Sequence, residues 1–410
     1  MAYIRFDSTT FCSERSASVK IFLNARLVRK DRIVQCGFLS EENGIIIGLG
    51  DMSEAPAVQG EIVDCQGLYL SPGFVDLHTH GGGGYDFMDG SVSDVIGAAR
   101  AHMAHGTTAL MPTTLTSGDD DLYATIDAYH QALNITENMP HLIGLHLEGP
   151  YFASEHKGAQ DERYLMHPHP DHYLKILAYA KGHIKRWSLA PELPGALEMA
   201  DRLAGSGILL SAAHTCATLD QMTEAFERGI THLTHFYSSM SSIVRVNGRR
   251  VLGVVESGYL LDGLTLEIIA DGIHLPPDLL RMILRFKPHD SICLCTDSMR
   301  GAGLPDGPSI LGSKKDGQQV IVEDGIALMP DRSCFAGSVA TTDRLVRVMV
   351  YEAGLPVWEA VRMMSLNPAR FVKMDAIIGS LEVGKRADLV LFDDDISIKS
   401  VYVSGINSAP

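Results

Sequence analysis

Apolar residues fall along the chain in three regimes. From Val19 they form short runs at Lys20–Leu27, Ile33–Leu39, Ile45–Leu49 and Glu61–Asp64, punctuated by Gly37, Gly44 and Gly48. Short β-rich runs bounded by glycine predict a small antiparallel sheet. Similar runs close the chain at Gly379–Val383, Asp388–Phe392 and Ile398–Val403, so the two ends are expected to share one split domain. Between them the pattern changes to near-continuous apolar runs, which suit strands covered on both faces. Eight such runs read as strands: Phe74–His78, Thr108–Thr113, Leu142–Glu148, Ile184–Ala190, Ile208–His214, Thr231–His235, Leu266–Asp271 and Ser291–Asp297. Helical stretches separate several of them, among them Ser93–His105, Leu122–Leu133, Gly195–Ala204 and Leu219–Arg228. The expected fold class is therefore α/β: a (β/α)8 TIM-like barrel over 71–375, with a small β-sandwich domain built from 1–70 and 376–410. Residues 1–18 are polar and are expected to be loose.

Composition narrows the function. Of 410 residues, 46% are hydrophobic and 20% charged, enough for a large core. Lys plus Arg number 34 against 50 Asp plus Glu, a net charge of -16. That balance argues against nucleic acid or an anionic membrane as the main partner. An anionic small molecule stays possible where basic residues cluster, as Arg245, Arg249 and Arg250 do. The seven Cys form no CxxC pair, which predicts reduced thiols and a cytoplasmic protein. Cys293 and Cys295 alternate along an apolar run and read as buried strand residues rather than metal ligands. Neither a secretory h-region nor an apolar run long enough for a transmembrane helix is read.

Candidate chemistry sits at the strand ends, where such barrels place their active sites. The first strand ends in His78-Thr79-His80, the third in His146-Leu147-Glu148, the fifth in His214 and the sixth in His235. Asp271 and His274 follow the seventh, and Asp297 ends the eighth. Two histidines and a carboxylate with open positions suit a catalytic divalent metal. Glu148, His214 and His235 form the natural trio. His78 and His80, two apart on one strand, point the same way and would hold a second ion or support a single one. Zinc is the first expectation, with iron, manganese or cobalt as alternatives. Asp297 would take a proton from the attacking water and deliver it to the leaving nitrogen. His274 would donate to the developing oxyanion or the substrate. His146 is read as packing or as support behind Glu148. The polar stretch 153–173 is read as a possible lid over the pocket.

Residues 71–80, SPGFVDLHTH, resemble the amidohydrolase superfamily. Within it the chain is similar to N-acetylglucosamine-6-phosphate deacetylases, through HTHGGGGYDFMDG (78–90), HLEGPYF (146–152), KGAQ (157–160), AAHTCAT (212–218), THLTHFYSSMS (231–241), IADGIHLPP (269–277), CTDSMRGAGLPDG (295–307), AGSVATTDR (336–344), SLNPARFV (365–372) and GSLEVGKRADLVLFD (379–393). The resemblance spans about 60–395 in order. It implies metal ligands at Glu148, His214 and His235, a catalytic aspartate at Asp297 and a substrate-contacting His274. It further implies sugar contacts from Ala159 and from the turn Phe335, Ala336 and Gly337, and a homodimer in which Arg249 or Arg250 reaches the neighbour's sugar phosphate. The implied reaction is hydrolysis of an acetamide on an amino sugar 6-phosphate.

The chain also departs from that pattern. Ser238-Ser239 stands where relatives commonly carry Asn-Ala, Gln160 where many carry His, and the 241–250 loop is longer. These differences leave the metal chemistry intact and open the identity of the sugar. N-acetylgalactosamine-6-phosphate or another amide is the alternative substrate. A catalytically silent scaffold is a third reading, which the presence of every ligand and of Asp297 opposes.

Overall fold

The computed structural model describes residues 19–57 and 60–408; the loose stretch expected at 1–18 lies outside them. All eight expected barrel strands form, at Phe74–Thr79, Thr107–Thr114, Leu145–Glu148, Ile184–Leu189, Leu209–Ala212, Ile230–Leu233, Thr265–Ile268 and Ile292–Leu294. They pair in that order and in parallel. Closure comes just past the last strand. The Asp297 N–H donates to the His78 carbonyl at 2.9 Å, and the His80 N–H donates to the Ser298 carbonyl at 2.8 Å. The expected helices also appear, at Val92–Met103, Asp119–Ala132, Ala196–Leu203 and Leu219–Glu227.

Alternation along each strand sorts its side chains into two environments. Leu147, Trp187, Leu189, Leu210, Leu233, Leu266 and Leu294 join the core beneath the outer helices. The intervening residues include Asp76, His78, His146, Arg186, Ser188, Ser211, Thr234 and Glu267, all buried. Barrel interiors are ordinarily filled by branched apolar residues. Here the interior is a polar network, and that network leads to the site. Cys293 on the eighth strand and Cys295 just past it are buried, each within reach of Glu267 and a histidine.

The chain ends meet in one sheet. Its order is Ile406–Ser408, Ile398–Val403, Leu389–Phe392, Tyr69–Pro72, Lys20–Val28, Ile33–Glu42, Ile45–Asp51, with Glu61–Asp64 beside the first half of Lys20–Val28. The register of Lys20–Val28 shifts between Phe22 and Ala25, where Asn24 adopts φ 56°. The strand therefore pairs with Glu61–Asp64 before the shift and with Tyr69–Pro72 after it. The sheet wraps a core of Phe22, Leu27, Leu39, Ile46, Leu70, Leu389 and Tyr402, which fits the expected β-sandwich.

Three local expectations need correction. The sheet of the chain ends is mixed rather than antiparallel, since Lys20–Val28 pairs in parallel with Glu61–Asp64 and with Tyr69–Pro72. Gly379–Val383 is not a strand: Gly379 and Gly384, both at φ 90°, turn the chain, although Leu381 still enters the small core. Tyr69–Pro72 takes that place, paired antiparallel with Leu389–Phe392. The run Leu142–Glu148 is broken at Gly144, φ 141°, into His141–Leu142 and Leu145–Glu148, both paired with Thr107–Thr114. Two additions were not foreseen. A three-stranded antiparallel layer (Gly307–Leu311, Gln318–Glu323, Ile326–Leu328) follows the eighth barrel strand, and a hairpin joins Val244–Val246 to Arg249–Val251. Among the described residues no helix is long and apolar enough to cross a membrane.

Candidate active site

At the C-terminal mouth of the barrel, three strand ends leave the sheet in left-handed backbone: His214 at φ 45°, His235 at φ 30° and Asp297 at φ 49°. Such conformations cost about 1–3 kcal/mol each and persist where the surroundings enforce them. They bring six side chains into two touching triads, Glu148 with His214 and His235, and His78 with His80 and Asp297. In each triad the ligand atoms lie within 4.8 Å of one another. Glu148 Oε1 lies 3.1 Å from His235 Nε2, 3.4 Å from His214 Nε2 and 3.5 Å from His78 Nε2. Asp297 Oδ1 lies 3.0 Å from His80 Nε2 and 3.2 Å from His78 Nε2.

The partners of the other ring nitrogens decide the protons. His214 Nδ1 faces the His156 carbonyl at 2.8 Å, His80 Nδ1 faces the Thr113 carbonyl at 3.3 Å, and His78 Nδ1 faces Glu267 Oε1 at 2.7 Å. A carbonyl or carboxylate oxygen accepts, so each Nδ1 carries a proton. In the neutral rings every Nε2 then turns a lone pair toward the carboxylates. Lone pairs facing lone pairs call for a cation between them. Protonating all the rings would place like charges at Nε2 to Nε2 separations of 3.3 Å for His78–His80 and 3.1 Å for His214–His235. A divalent metal meets the same need with one charge centre, and the donor set of imidazole and carboxylate suits it. The site thus fits a metal ion, and His78, His80 and His214 have Nδ1–H partners of the kind that orient metal-ligating histidines, while His235 Nδ1 is buried without one.

The electrostatics agree. Burial pushes His78 downward, but Asp297, Glu267 and Glu148 together hold it well above the ordinary histidine value. Burial pushes Glu148 upward, and His78 with the hydrogen bonds from His214 and His235 overrides it, holding the carboxylate well below its ordinary value. Asp297 is likewise lowered, against burial, by His78 and His80. Both carboxylates are ionised.

Around the triads lies a cavity of about 460 Å³, lined among others by His80, Glu148, Ala159, Gln160, His214, His235, Ser238, Ser239, His274, Asp297, Phe335 and Gly337. Ala336 is buried within its turn, and Asp271 stands behind His274. Asp271 Oδ2 accepts from His274 Nδ1 at 2.8 Å, and Phe335 lies against the imidazole with ring centroids 4.2 Å apart. Gln160 is engaged at both ends of its amide. Its Nε2 donates to Glu148 Oε2 at 2.7 Å and its Oε1 accepts from the Thr116 N–H at 2.8 Å. It therefore steadies the ligand carboxylate. His146 is buried beneath the triads, bonded to Ser188 Oγ at 2.7 Å and Thr113 Oγ1 at 3.2 Å. Arg249 and Arg250 sit exposed on their hairpin, outside the cavity of their own chain. The cavity also holds Tyr237 and Arg332, which the sequence did not single out. Arg332 lies in the turn that follows the last strand of the unforeseen β-layer, so no strand-end rule would have found it.

Asp271 shows how tightly this wall is built. Burial raises its carboxyl, but the hydrogen bond and charge of His274, with the backbone N–H groups of Ile273 and His274, lower it below the ordinary aspartate value. A depressed carboxylate stabilises the fold fully above its unfolded value near 3.8, and this is lost as pH falls through the folded value. Asp271→Asn should therefore cost more unfolding free energy at pH 7 than at pH 3, measured by urea denaturation at both.

Residues 69–407 match the model of the Amidohydrolase family. The chain belongs to that family, whose metal dependence agrees with the two buried ligand clusters. The resemblance read from the sequence also holds at the finer level. The N-acetylglucosamine-6-phosphate deacetylase of Bos taurus is 32% identical over 94% of this chain and 93% of its own. The N-acetylgalactosamine-6-phosphate deacetylase of Escherichia coli O157:H7 is 32% identical over 82% of this chain and 86% of its own. The crystal structure of N-acetylglucosamine-6-phosphate deacetylase from Pasteurella multocida superposes with a TM-score of 0.88 at 29% identity, covering 96% of this chain and 100% of the other. A mutant of the Mycobacterium smegmatis enzyme, in complex with N-acetyl-D-glucosamine-6-phosphate, reaches 0.86 at 28% identity, covering 97% and 100%.

Proposed function

We propose that this chain hydrolyses the acetamide of an N-acetylated amino sugar 6-phosphate, N-acetylglucosamine-6-phosphate first, to give the amino sugar phosphate and acetate. The observation that carries this reading is the pair of touching ligand triads on the wall of a cavity within the size range of small-molecule sites. Glu148, His214 and His235 would hold a divalent ion, zinc by preference, and His78 and His80 would complete the same centre or hold a second ion. When bound, such an ion lowers the pKa of water and polarises the acetyl carbonyl. Asp297, ionised beside His78 and His80, takes the proton of the attacking water and returns it to the leaving nitrogen. His274, held by Asp271 and Phe335, donates to the oxygen that gains charge. Ala159, Ser238, Ser239 and the Phe335–Gly337 turn shape the sugar pocket, and Gln160 acts through Glu148.

The same reading takes 1–70 plus 376–410 as a small split β-sandwich domain and 71–375 as the catalytic barrel, and the chain as a cytoplasmic homodimer. In that dimer the exposed Arg249 or Arg250 reaches the phosphate in the neighbouring site. Changing both to Ala should raise KM for the phosphorylated sugar by about 10–100-fold, the worth of one or two charge-assisted hydrogen bonds, and leave the unphosphorylated analogue alone. Equal effects on both sugars would return the phosphate to Arg332 within the same chain. The galactosamine epimer is a second reading, favoured by Ser238-Ser239 and by the likeness to the Escherichia coli enzyme. Acetate release from zinc-loaded protein with both 6-phosphates and both free sugars tests all of this. Rapid turnover of one phosphorylated epimer fixes the substrate. No release from metal-loaded protein removes amino sugars.

A further inference from the structure

Beneath the triads, the polar barrel interior contains a feature with no part in the reaction just described. Glu267, on the seventh strand, and Arg186, on the fourth, form an ion pair with both side chains fully buried. Glu267 divides its two oxygens. Oε2 meets Arg186 Nη1, while Oε1 accepts from His78 Nδ1 at 2.7 Å and from the His235 backbone N–H at 3.1 Å. One carboxylate oxygen therefore touches a residue of each triad. Arg186 is tied down in turn: its Nη1 donates to the Leu77 carbonyl at 3.4 Å and its Nη2 to Thr234 Oγ1 at 2.9 Å. Thr234 immediately precedes His235, and Leu77 immediately precedes His78. The pair thus grips the residue before each of these histidines as well as the histidines themselves.

A buried ion pair is a poor source of stability, since apolar residues of similar volume commonly replace one without loss. This pair does something apolar residues cannot. An acceptor at His78 Nδ1 fixes the proton there and leaves Nε2 free to bind a cation. We propose that Glu267, anchored by Arg186, is a positioning residue that aligns His78 and His235 together and so sets the metal affinity of both triads. The proposal rests on the metal-binding reading above. Arg186 keeps the carboxylate aimed through the contact of its Nη1 with Glu267 Oε2.

Two variants of the full chain test it by cobalt(II) binding to metal-stripped protein, read by equilibrium dialysis and by the visible spectrum. Glu267→Gln keeps the shape. Its amide has one acceptor oxygen for three donors, Arg186, His78 Nδ1–H and the His235 N–H, so it either leaves a donor unmet or forces the His78 proton onto Nε2. The double variant Arg186→Met with Glu267→Leu removes both charges and should keep the fold, checked by Tm. Both variants should bind cobalt about 10–100-fold more weakly, the usual effect of losing a group that orients a metal ligand. The cobalt spectrum should also change. A double variant that binds cobalt like the wild type overturns the proposal and leaves the pair as packing. A wild-type chain that takes up no cobalt removes the metal reading itself. Weakening in the variants alone separates the two.

Discussion

Asp297→Asn should bind substrate and retain metal at Glu148, His214 and His235, yet release acetate roughly 10²–10⁴-fold more slowly. The asparagine fills the same space, and its backbone remains fixed by the Asp297 N–H bond to the His78 carbonyl. Its side-chain oxygen can still face His80, which lies 3.0 Å from the aspartate oxygen. What it cannot do is accept a proton from water and hand it on. The loss should therefore fall on kcat, with KM nearly unchanged, in single-turnover acetate release alongside metal analysis. Turnover near the wild-type rate would transfer the proton carrier elsewhere, with His274 the remaining ionisable candidate on that wall of the cavity.

The second large effect is expected at Glu148. It is the carboxylate shared by the two triads, with Oε1 near His235, His214 and His78 and Oε2 near His80 at 3.4 Å. Glu148→Gln removes that charge and keeps the shape. The imidazole lone pairs then face a neutral amide, and bound metal per chain should fall well below wild type. Losing the several kcal/mol of charge stabilisation a metal supplies corresponds to about 10³-fold or more in turnover. Excess zinc should restore part of it. Full metal content with full activity would move the ion to His78, His80 and Asp297.

The expectations that held share a cause. The barrel strands carry apolar residues on the face that the helices cover, so they are legible in the sequence although their inward face is polar. Their polar ends were readable because a barrel gathers strand ends at one mouth, wherever they lie in the chain. Gly379–Val383 misled because Leu381 and Val383 look like strand residues, while the turns at Gly379 and Gly384 depend on backbone freedom that a hydropathy pattern does not register. The β-layer after the eighth strand is amphipathic and short, with Pro308 inside its first strand and Gly312 just past it, and Arg332 in the turn that follows the layer went unnoticed with it. The Arg186–Glu267 pair was hidden for another reason. The partners lie 81 residues apart on strands four and seven. Only closure of the barrel turns Arg186 inward.

The shared sheet of the two chain ends also has a consequence for the order of events during synthesis. Lys20–Val28, Ile33–Glu42 and Ile45–Asp51 leave the ribosome early and can pair as hairpins. Tyr69–Pro72 waits for Leu389–Phe392, about 320 residues later. At roughly 5–20 residues per second that is on the order of tens of seconds. Throughout that interval one flank of the early sheet is an open edge, with Leu70 lacking the cover of Leu389 and Leu391. A nascent chain of this protein therefore exposes a sticky half-domain for as long as its barrel takes to be made, and holdase chaperones acting at the ribosome would find their target there.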